Sequence, residues 1–189
     1  MRATSILMEE HRYILRSVEV ICGMADCVAN GEDIDDRDVD CILQFLRAFG
    51  DEHHQEKEEA ILFPALLKAS NAEEHGCLCQ ITFEHNQQRS LLEGIEDALR
   101  TRKGNDFVYY ARRLAEIVRA HIQCEEEEVF KRADAILSPE EDDRIARELA
   151  SYDSPHRAER LRELLKRLAI LELKYGSRPN SNIEKPQYV

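Results

Sequence analysis

The sequence predicts an all-α protein, built on an up-down-up-down four-helix bundle with additional C-terminal helices. Apolar residues recur at helical spacing through four long segments, which are joined by short polar connections. Only five prolines and seven glycines occur in 189 residues, and no segment alternates between apolar and polar residues as a half-buried strand does. Long helices joined by short loops pack as antiparallel neighbours, which favours the bundle.

The first two bundle helices are expected at residues 4–29 and 36–69. Asn30-Gly31 is typical of a helix stop, and the aspartates that follow it offer N-caps for the second helix. Pro64 lies inside the second segment and predicts a bend there, because proline cannot donate the backbone hydrogen bond of a regular helix.

The third and fourth helices are expected at residues 73–102 and 106–135. Ser138 precedes a proline, which predicts a capped short helix reaching about residue 152. A further helix is expected at 155–175, where leucines share one face.

The chain divides into three predicted parts. Residues 1–152 form the metal-binding bundle with its short fifth helix, 153–175 an amphipathic helix, and 176–189 a flexible tail with little to bury. The leucine face of the amphipathic helix is expected to dock on the bundle, or else on a second subunit or a partner protein. Its members are Leu161, Leu164, Leu165, Leu168 and Leu171.

The composition narrows the class of partner and the compartment. A formal net charge of −12 argues against nucleic acid or an anionic membrane surface. No apolar run is long enough for a signal peptide or a membrane span. The six cysteines are therefore expected to stay reduced, and the protein is predicted to be cytoplasmic.

Two His-x-x-x-Glu pairs carry the chemistry. His54 with Glu58, and His121 with Glu125, each place an imidazole and a carboxylate one turn apart on the same helix face. Both faces continue with apolar residues, so the carboxylates are expected to be buried. A buried charge is costly unless it is paired or bound to a metal.

Two further histidines are expected at the same level of the bundle. Residues equally distant from a connecting loop lie at one height in an antiparallel pair, and His11 and His85 match His54 and His121 to within about three residues, or roughly 5 Å. Four histidines from four helices and two carboxylates therefore predict a metal site.

The residues next to these ligands leave some alternatives open. His53 continues the apolar stripe about as well as His54, but Lys57 stands one turn after it, so His54 is preferred. Gln88 and Arg89 could supply hydrogen bonds around the site or face outward. Cys124 is interpreted as a buried thiol beside the pocket, and the acidic run that follows Glu125 as a solvated face.

Six nitrogen and oxygen ligands are too many for one tetrahedral zinc ion. They suit two ions bridged by the two carboxylates, with imidazoles at the outer positions, and such donors suit iron, manganese and zinc. The Glu-x-x-His pairs of ferritin-like di-iron proteins are absent.

The order of these residues resembles the hemerythrin HHE cation-binding family. Its pattern is a lone His, His-x-x-x-Glu, a lone His and a second His-x-x-x-Glu, and it covers about residues 4–152 here. The resemblance implies a non-haem centre of two iron ions, with Glu58 and Glu125 bridging and the four histidines terminal; manganese or zinc are weaker alternatives. Members of this family bind O₂, react with nitric oxide or peroxide, or sense or supply iron.

Two departures bear on function. Oxygen-carrying relatives have a second histidine on the third helix and end in His-x-x-x-x-Asp, whereas this chain has only His85 there and ends in His121-x-x-x-Glu125. Six ligands leave a coordination position open, which favours reactivity over carrying O₂. We therefore expect a di-iron protein that binds or reacts with O₂, peroxide or nitric oxide. A sensing module that acts through a partner and an iron donor are the alternatives. No separate acid–base residue stands out, so any enzymatic activity would depend on the metal.

Overall fold

The computed structural model describes residues 2–69 and 75–176, which are helical almost throughout and contain no strand. None of the helices in these ranges has an apolar stretch long enough to cross a membrane. The predicted all-α fold with additional C-terminal helices is confirmed. The α-helices are α1 (Ala3–Ala29), α2 (Asp36–Phe45), α3 (Phe63–Ala69), α4 (His75–Arg100), α5 (Gly104–Cys124), α6 (Phe130–Ile136), α7 (Pro139–Ala150) and α8 (Pro155–Tyr175).

The second and fourth bundle helices are not regular along their length. Two π-helical segments, π1 (Leu46–Gln55) and π2 (Glu58–Leu62), lie between α2 and α3, and π3 (Glu125–Val129) lies between α5 and α6. The helices expected at 36–69 and 106–135 are thus present, but their π-helical segments were not predicted. A π turn accommodates one extra residue per turn, and such turns are frequent at functional sites.

Pro64, where the sequence predicts a bend, lies at the change from a π turn to an α-helix. Pro64 is the second residue of α3, directly after π2 ends. The N–H of Phe63 donates to the carbonyl of Glu58, five residues back. The missing N–H of proline thus falls where the helix changes type, so no regular α-helical hydrogen bond is lost in the middle of a helix.

Other boundaries agree with the sequence to within a few residues. The first helix begins at Ala3, and the last spans the predicted 155–175. The short helix α7 opens with a capping box, in which the hydroxyl of Ser138 accepts from the N–H of Glu141. The predicted break at residues 70–71 lies outside the described residues, as does the predicted tail apart from Gly176. The division into three parts stays a prediction.

Two apolar clusters fill the bundle, and the histidines and glutamates predicted as metal ligands lie between them. The upper cluster includes Ile14, Val18, Phe49, Leu92 and Val118, together with the leucines of α8. The lower cluster includes Leu7, Leu62, Ile81, Val129 and Phe130, together with Ile145 and Leu149 of α7. Along each bundle helix, the histidines and glutamates fall where the chain passes from one cluster to the other.

Helix α8 packs on α1 and α2 of its own chain. Leu161, Leu164, Leu168 and Leu171 are buried in the upper cluster, and Leu165 packs against it while partly buried. Each fully buried leucine contributes about 1.5–3 kcal/mol, whereas each exposed ion pair along α8 contributes at most about 1 kcal/mol. The leucine face therefore holds α8 in place and is occupied within the chain.

A glycine in α1 allows the close approach of α8. A Cβ atom at Gly23 would overlap the backbone carbonyl oxygen of Tyr175, the last residue of α8. Because that oxygen belongs to the backbone, only a displacement of the helix end could make room for a side chain.

We expect Gly23→Ala to destabilise the protein by about 1–3 kcal/mol, as overpacking does. For a chain of this size that lowers the thermal midpoint by roughly 2–10 °C in a calorimetric or circular-dichroism melt. Gly76→Ala is the matched control, since a Cβ there meets no atom within 4 Å. Equal midpoints for the two variants would show that α8 is not seated against α1 in this way.

Candidate metal centre

The six side chains predicted as ligands meet in one buried layer between the two apolar clusters. They form two overlapping groups, in each of which the ligand atoms lie within 4.8 Å of one another. The first group contains His11, His54, Glu58 and Glu125, and the second contains His85, His121 and Glu125. The exposed fraction of each side chain is at most 4%, so water does not solvate the two carboxylates.

Each of the two carboxylates lies between two histidines, one from the pair His11 and His54 and one from the pair His85 and His121. The Oε1 atom of Glu58 is 3.5 Å from Nε2 of His54, and its Oε2 atom is 3.5 Å from Nε2 of His85. Glu125 is arranged differently, because its Oε2 atom is 3.2 Å from Nε2 of His11 and 3.4 Å from Nε2 of His121, while its Oε1 atom is 3.9 Å from Nε2 of His85. Each carboxylate thus contacts both imidazole pairs, as a bridging carboxylate requires.

The site has an approximate internal two-fold symmetry. The rings of His11 and His54 meet edge to face with centroids 4.6 Å apart and planes at 67°. The rings of His85 and His121 repeat this arrangement at 4.8 Å and 68°. The two pairs share this ring geometry but are not equivalent, because only His85 and His121 have their Nε2 atoms within hydrogen-bond distance of each other, at 3.2 Å.

The π turns position both the carboxylates and the aromatic rings behind the histidines. Glu58 and Glu125 are the first residues of π2 and π3. Their carbonyls accept from the N–H groups of Phe63 and Phe130, five residues later. The ring of Phe130 stacks on His11 with centroids 5.3 Å apart, and Phe63 lies parallel to His85 at 6.1 Å.

A second set of four glutamates orients the imidazoles. Each histidine has its Nδ1 within hydrogen-bond distance of a carboxylate, which leaves Nε2 facing the centre of the site. The pairs are His11–Glu126 at 3.0 Å, His54–Glu10 at 3.0 Å, His85–Glu59 at 2.7 Å and His121–Glu84 at 2.9 Å. These contacts fix the ring orientation and raise the basicity of the nitrogen that faces the centre.

These four glutamates were not predicted as hydrogen-bond partners of the histidines, although the sequence contains a signal for them. Glu-His dipeptides occur in both α1 and α4, at residues 10–11 and 84–85. The second and fourth bundle helices share the longer pattern His-x-x-x-Glu-Glu-x-x-x-Phe. Treating the run after Glu125 as solvated is wrong for Glu126, which reaches across to a histidine of another helix.

His54 belongs to the cluster, and His53 lies beside it. Nε2 of His53 is 3.1 Å from Oε1 of Glu10, and its Nδ1 is 2.7 Å from Asp153 in the link between α7 and α8. The buried ammonium of Lys57 donates to the same oxygen of Glu10 at 2.7 Å. His53 therefore supports the carboxylate that orients His54 and does not enter the centre.

The other residues proposed near the site are farther from the ligands. Arg89 donates to Glu59 at 3.0 Å and to Asp51 at 2.7 Å, so it acts on His85 only through Glu59. Gln88 is hydrogen-bonded to Gln55. Cys124 packs against the lower cluster, and its partial burial and the nearby carboxylate of Glu128 raise its pKa to about 11. Cys124 belongs to neither group of clustered donor atoms.

The electrostatics of the layer favour cations. Burial disfavours the charged form of His11 and His85, but their hydrogen bonds to glutamates outweigh this and raise each pKa to about 9. Burial likewise opposes ionisation of Glu125, yet the nearby charges of His121 and His11 lower its pKa to about 2. Without a metal, protons on His11 and His85 therefore offset part of the negative charge of the buried carboxylates.

Several atoms aimed at the centre have no hydrogen-bond partner among the described residues. They are Nε2 of His11 and of His54, and both carboxylate oxygens of Glu58 and of Glu125. Leaving a buried polar group unsatisfied costs about 1–3 kcal/mol, and more for a charged group. Nitrogen and oxygen donors in this arrangement fit iron, manganese or zinc.

A small cavity borders the site on the side of the upper cluster. Its volume is about 20 Å³, which is room for one molecule of about the size of water. His54 and His121 form its inner wall, and the ion pair of Asp51 with Arg89 lies in its outer wall. The remaining lining is apolar except for the two glutamines Gln55 and Gln88.

Comparison with known proteins agrees with this geometry. The family described as Hemerythrin HHE cation binding domain matches residues 2–133, which include all six clustered side chains. Neither a curated protein nor a solved structure matches the chain significantly.

The raised pKa values predict how the stability of the metal-free protein depends on pH. Because His11 and His85 have a pKa near 9 when folded and near 6.5 when unfolded, their protonation stabilises the fold fully below pH 6.5. That contribution, at most about 3 kcal/mol for each histidine, is lost as the pH rises to 9. Urea titrations at several pH values measure it. Iron-loaded protein is the control, since bound imidazoles are already neutral. A flat profile for the metal-free protein would contradict the assigned pKa values.

The orienting glutamates predict a second effect. Glu84→Ala removes the acceptor at Nδ1 of His121 and should weaken metal binding about 10- to 100-fold in competition with a chelator. Glu93→Ala, on an exposed position of the same helix, should leave the affinity unchanged. Equal affinities for the two variants would show that Glu84 does not act on the metal through His121.

Proposed function

The chain belongs to the hemerythrin HHE cation-binding domain family, and on that basis we propose that it is a non-haem di-iron protein. Glu58 and Glu125 would bridge the two ions. One ion would take His11 and His54, and the other would take His85 and His121. The observation that carries this proposal is the set of buried nitrogen and oxygen atoms without hydrogen-bond partners at the centre of the two-fold arrangement.

We choose iron because it is the metal that the resemblance to this family implies, and a donor set of imidazole and carboxylate is compatible with it. Such donors suit iron and manganese, and they suit zinc less well when two ions share six ligands. The four orienting glutamates add negative charge around the layer, which favours a pair of divalent or trivalent cations. No disulfide joins the six cysteines, all of which lie in the described part of the chain, and this is compatible with the proposed cytoplasmic location.

The ligand of the centre is proposed to be O₂, nitric oxide or peroxide. The cavity beside His54 and His121 has a volume of about 20 Å³, which is room for about one water molecule and favours a ligand of few heavy atoms. With six protein ligands for two ions, a coordination position remains for such a molecule, and bound iron would supply redox chemistry there. The protein itself would exclude bulk water, orient the imidazoles and limit the size of what enters.

A sensing role is the second candidate, and one contact path favours it. Asp153, in the link before α8, contacts His53, which contacts Glu10, which in turn holds His54. A change in the position of His54 would be transmitted through these contacts to the start of α8. The leucine face of α8 is occupied within the chain, so a second subunit or partner would meet its outer side, where the exposed fractions of Ile170 and Leu173 are 65% and 91%. An iron donor would instead be recognised by iron that transfers readily to a chelator.

The experiment that tests the proposal is metal analysis of protein from iron-supplemented cells, followed by spectroscopy during addition of peroxide or nitric oxide. We expect about two irons per chain and a charge-transfer absorption that changes with either ligand. Sustained loss of peroxide would indicate an enzyme, and a stable adduct would indicate binding or sensing. Zinc alone, or no metal, would refute the di-iron assignment.

A pair of variants at adjacent positions tests the ligands. His54→Ala should reduce the iron content and the thermal midpoint together, because the site lies in the core. His53→Ala should retain most of the iron, since His53 lies outside the cluster. Loss of iron in the His53 variant alone would shift the ligand assignment by one residue.

A further inference from the structure

Two buried glutamines form a polar pair in the wall of the cavity beside the metal centre. Gln55 and Gln88 are 5% and 6% exposed, and Nε2 of Gln55 donates to Oε1 of Gln88 at 2.8 Å. Both residues line the cavity together with His54 and His121. Gln55 lies at the end of π1 and Gln88 on α4, so the pair joins the two halves of the bundle.

The pair leaves one donor and one acceptor free. The Oε1 atom of Gln55 and the Nε2 atom of Gln88 are buried and have no hydrogen-bond partner within the described residues. This result does not depend on how the two amides are oriented. A single bond between two glutamines always leaves one carbonyl oxygen and one amino group unpaired.

The arrangement is unfavourable for stability alone. Leu46, Leu92 and Leu114 line the same cavity, and a pair of apolar side chains would pack among them without unsatisfied groups. Replacing both partners of a buried hydrogen bond by apolar groups of similar shape is nearly neutral or stabilising. Two unsatisfied amide groups next to the metal ligands therefore point to a ligand that pairs with both.

We propose that Gln55 and Gln88 bind a small ligand that both donates and accepts hydrogen bonds, and that they select hydrogen peroxide over O₂ and nitric oxide at this site. Hydrogen peroxide has two O–H donors and two acceptor oxygens. It can donate to the carbonyl of one glutamine and accept from the amide of the other. Oxygen and nitric oxide have no proton to donate, so the free carbonyl gains nothing from them. The inference rests on the proposed di-iron function and names the preferred ligand of that site.

The test compares ligand affinities in iron-loaded protein. In the double variant Gln55→Met/Gln88→Met, the peroxide concentration that gives half of the maximal spectral change should rise about 10- to 100-fold, as expected for two lost hydrogen bonds. The dissociation constant for nitric oxide should stay within about twofold of the wild type. Gln87→Met, at the neighbouring position on α4 that faces a different surface pocket, should change neither quantity.

A steric variant separates polarity from size. Gly50 lines the cavity, and a Cβ placed there meets no atom within 4 Å. Gly50→Ala should therefore narrow the cavity and weaken the binding of peroxide and of nitric oxide to a similar extent. If the double glutamine variant, like Gly50→Ala, lost affinity equally for peroxide and for nitric oxide, the glutamine pair would only shape the cavity. That result would overturn the proposal.

The metal-free protein supplies a readout that is independent of iron. If the glutamines serve a ligand, the double methionine variant should melt at the same temperature as the wild type or higher, because two unsatisfied groups are removed. A lower midpoint would show that the pair is structural, and would overturn the proposal. If wild-type protein holds two irons but its spectrum does not respond to peroxide, the proposed peroxide ligand fails for the site as a whole. If wild type and double variant respond equally, only the role of the glutamines fails.

Discussion

The burial of two carboxylates at the centre of a helical bundle is the constraint on which the rest of the structure depends. Glu58 and Glu125 are fully buried, and an isolated charge in such a place would be too costly to keep. Imidazoles from all four bundle helices surround them, and hydrogen bonds to glutamates raise the pKa of His11 and of His85 to about 9. On the proposed function these groups would become ligands once cations replace the protons, so the stability of the bundle and its affinity for metal would be linked.

The approximate two-fold arrangement of the histidines is compatible with the two ions of the proposed centre. Each half contributes two histidines, and each bridging glutamate begins a π turn that brings a phenylalanine against a histidine of a different helix. A regular α-helix would turn the following residues by a different angle and would not place both the carboxylate and the ring correctly. The outer glutamates then hold every imidazole from behind. The positions of the two central carboxylates and the orientations of the four imidazoles are thus set by separate groups of residues.

The two halves differ in their outer surroundings. Glu10, behind His54, is held by Lys57 and His53 and is connected through Asp153 to the start of α8. Glu84, behind His121, is partly exposed and has a hydrogen bond from Gln80. The glutamine-lined cavity lies between His54 and His121. The layer of the six clustered side chains is therefore similar in its two halves, whereas the residues one contact further out differ, and there a ligand or a partner would act.

The sequence by itself determined the helical fold and the residue types at the site, because both depend on local periodicity. Apolar spacing located the helices, and the four-residue separation of His54 from Glu58 and of His121 from Glu125 implied a shared face. Tertiary structure alone decided the π turns and the carboxylates that orient the histidines. The hydrogen bond of His11 to Glu126 joins residues 115 positions apart, and the pairing of Gln55 with Gln88 spans 33. Such contacts depend on the rotation and height of one helix relative to another, and the periodicity of a single helix does not determine these.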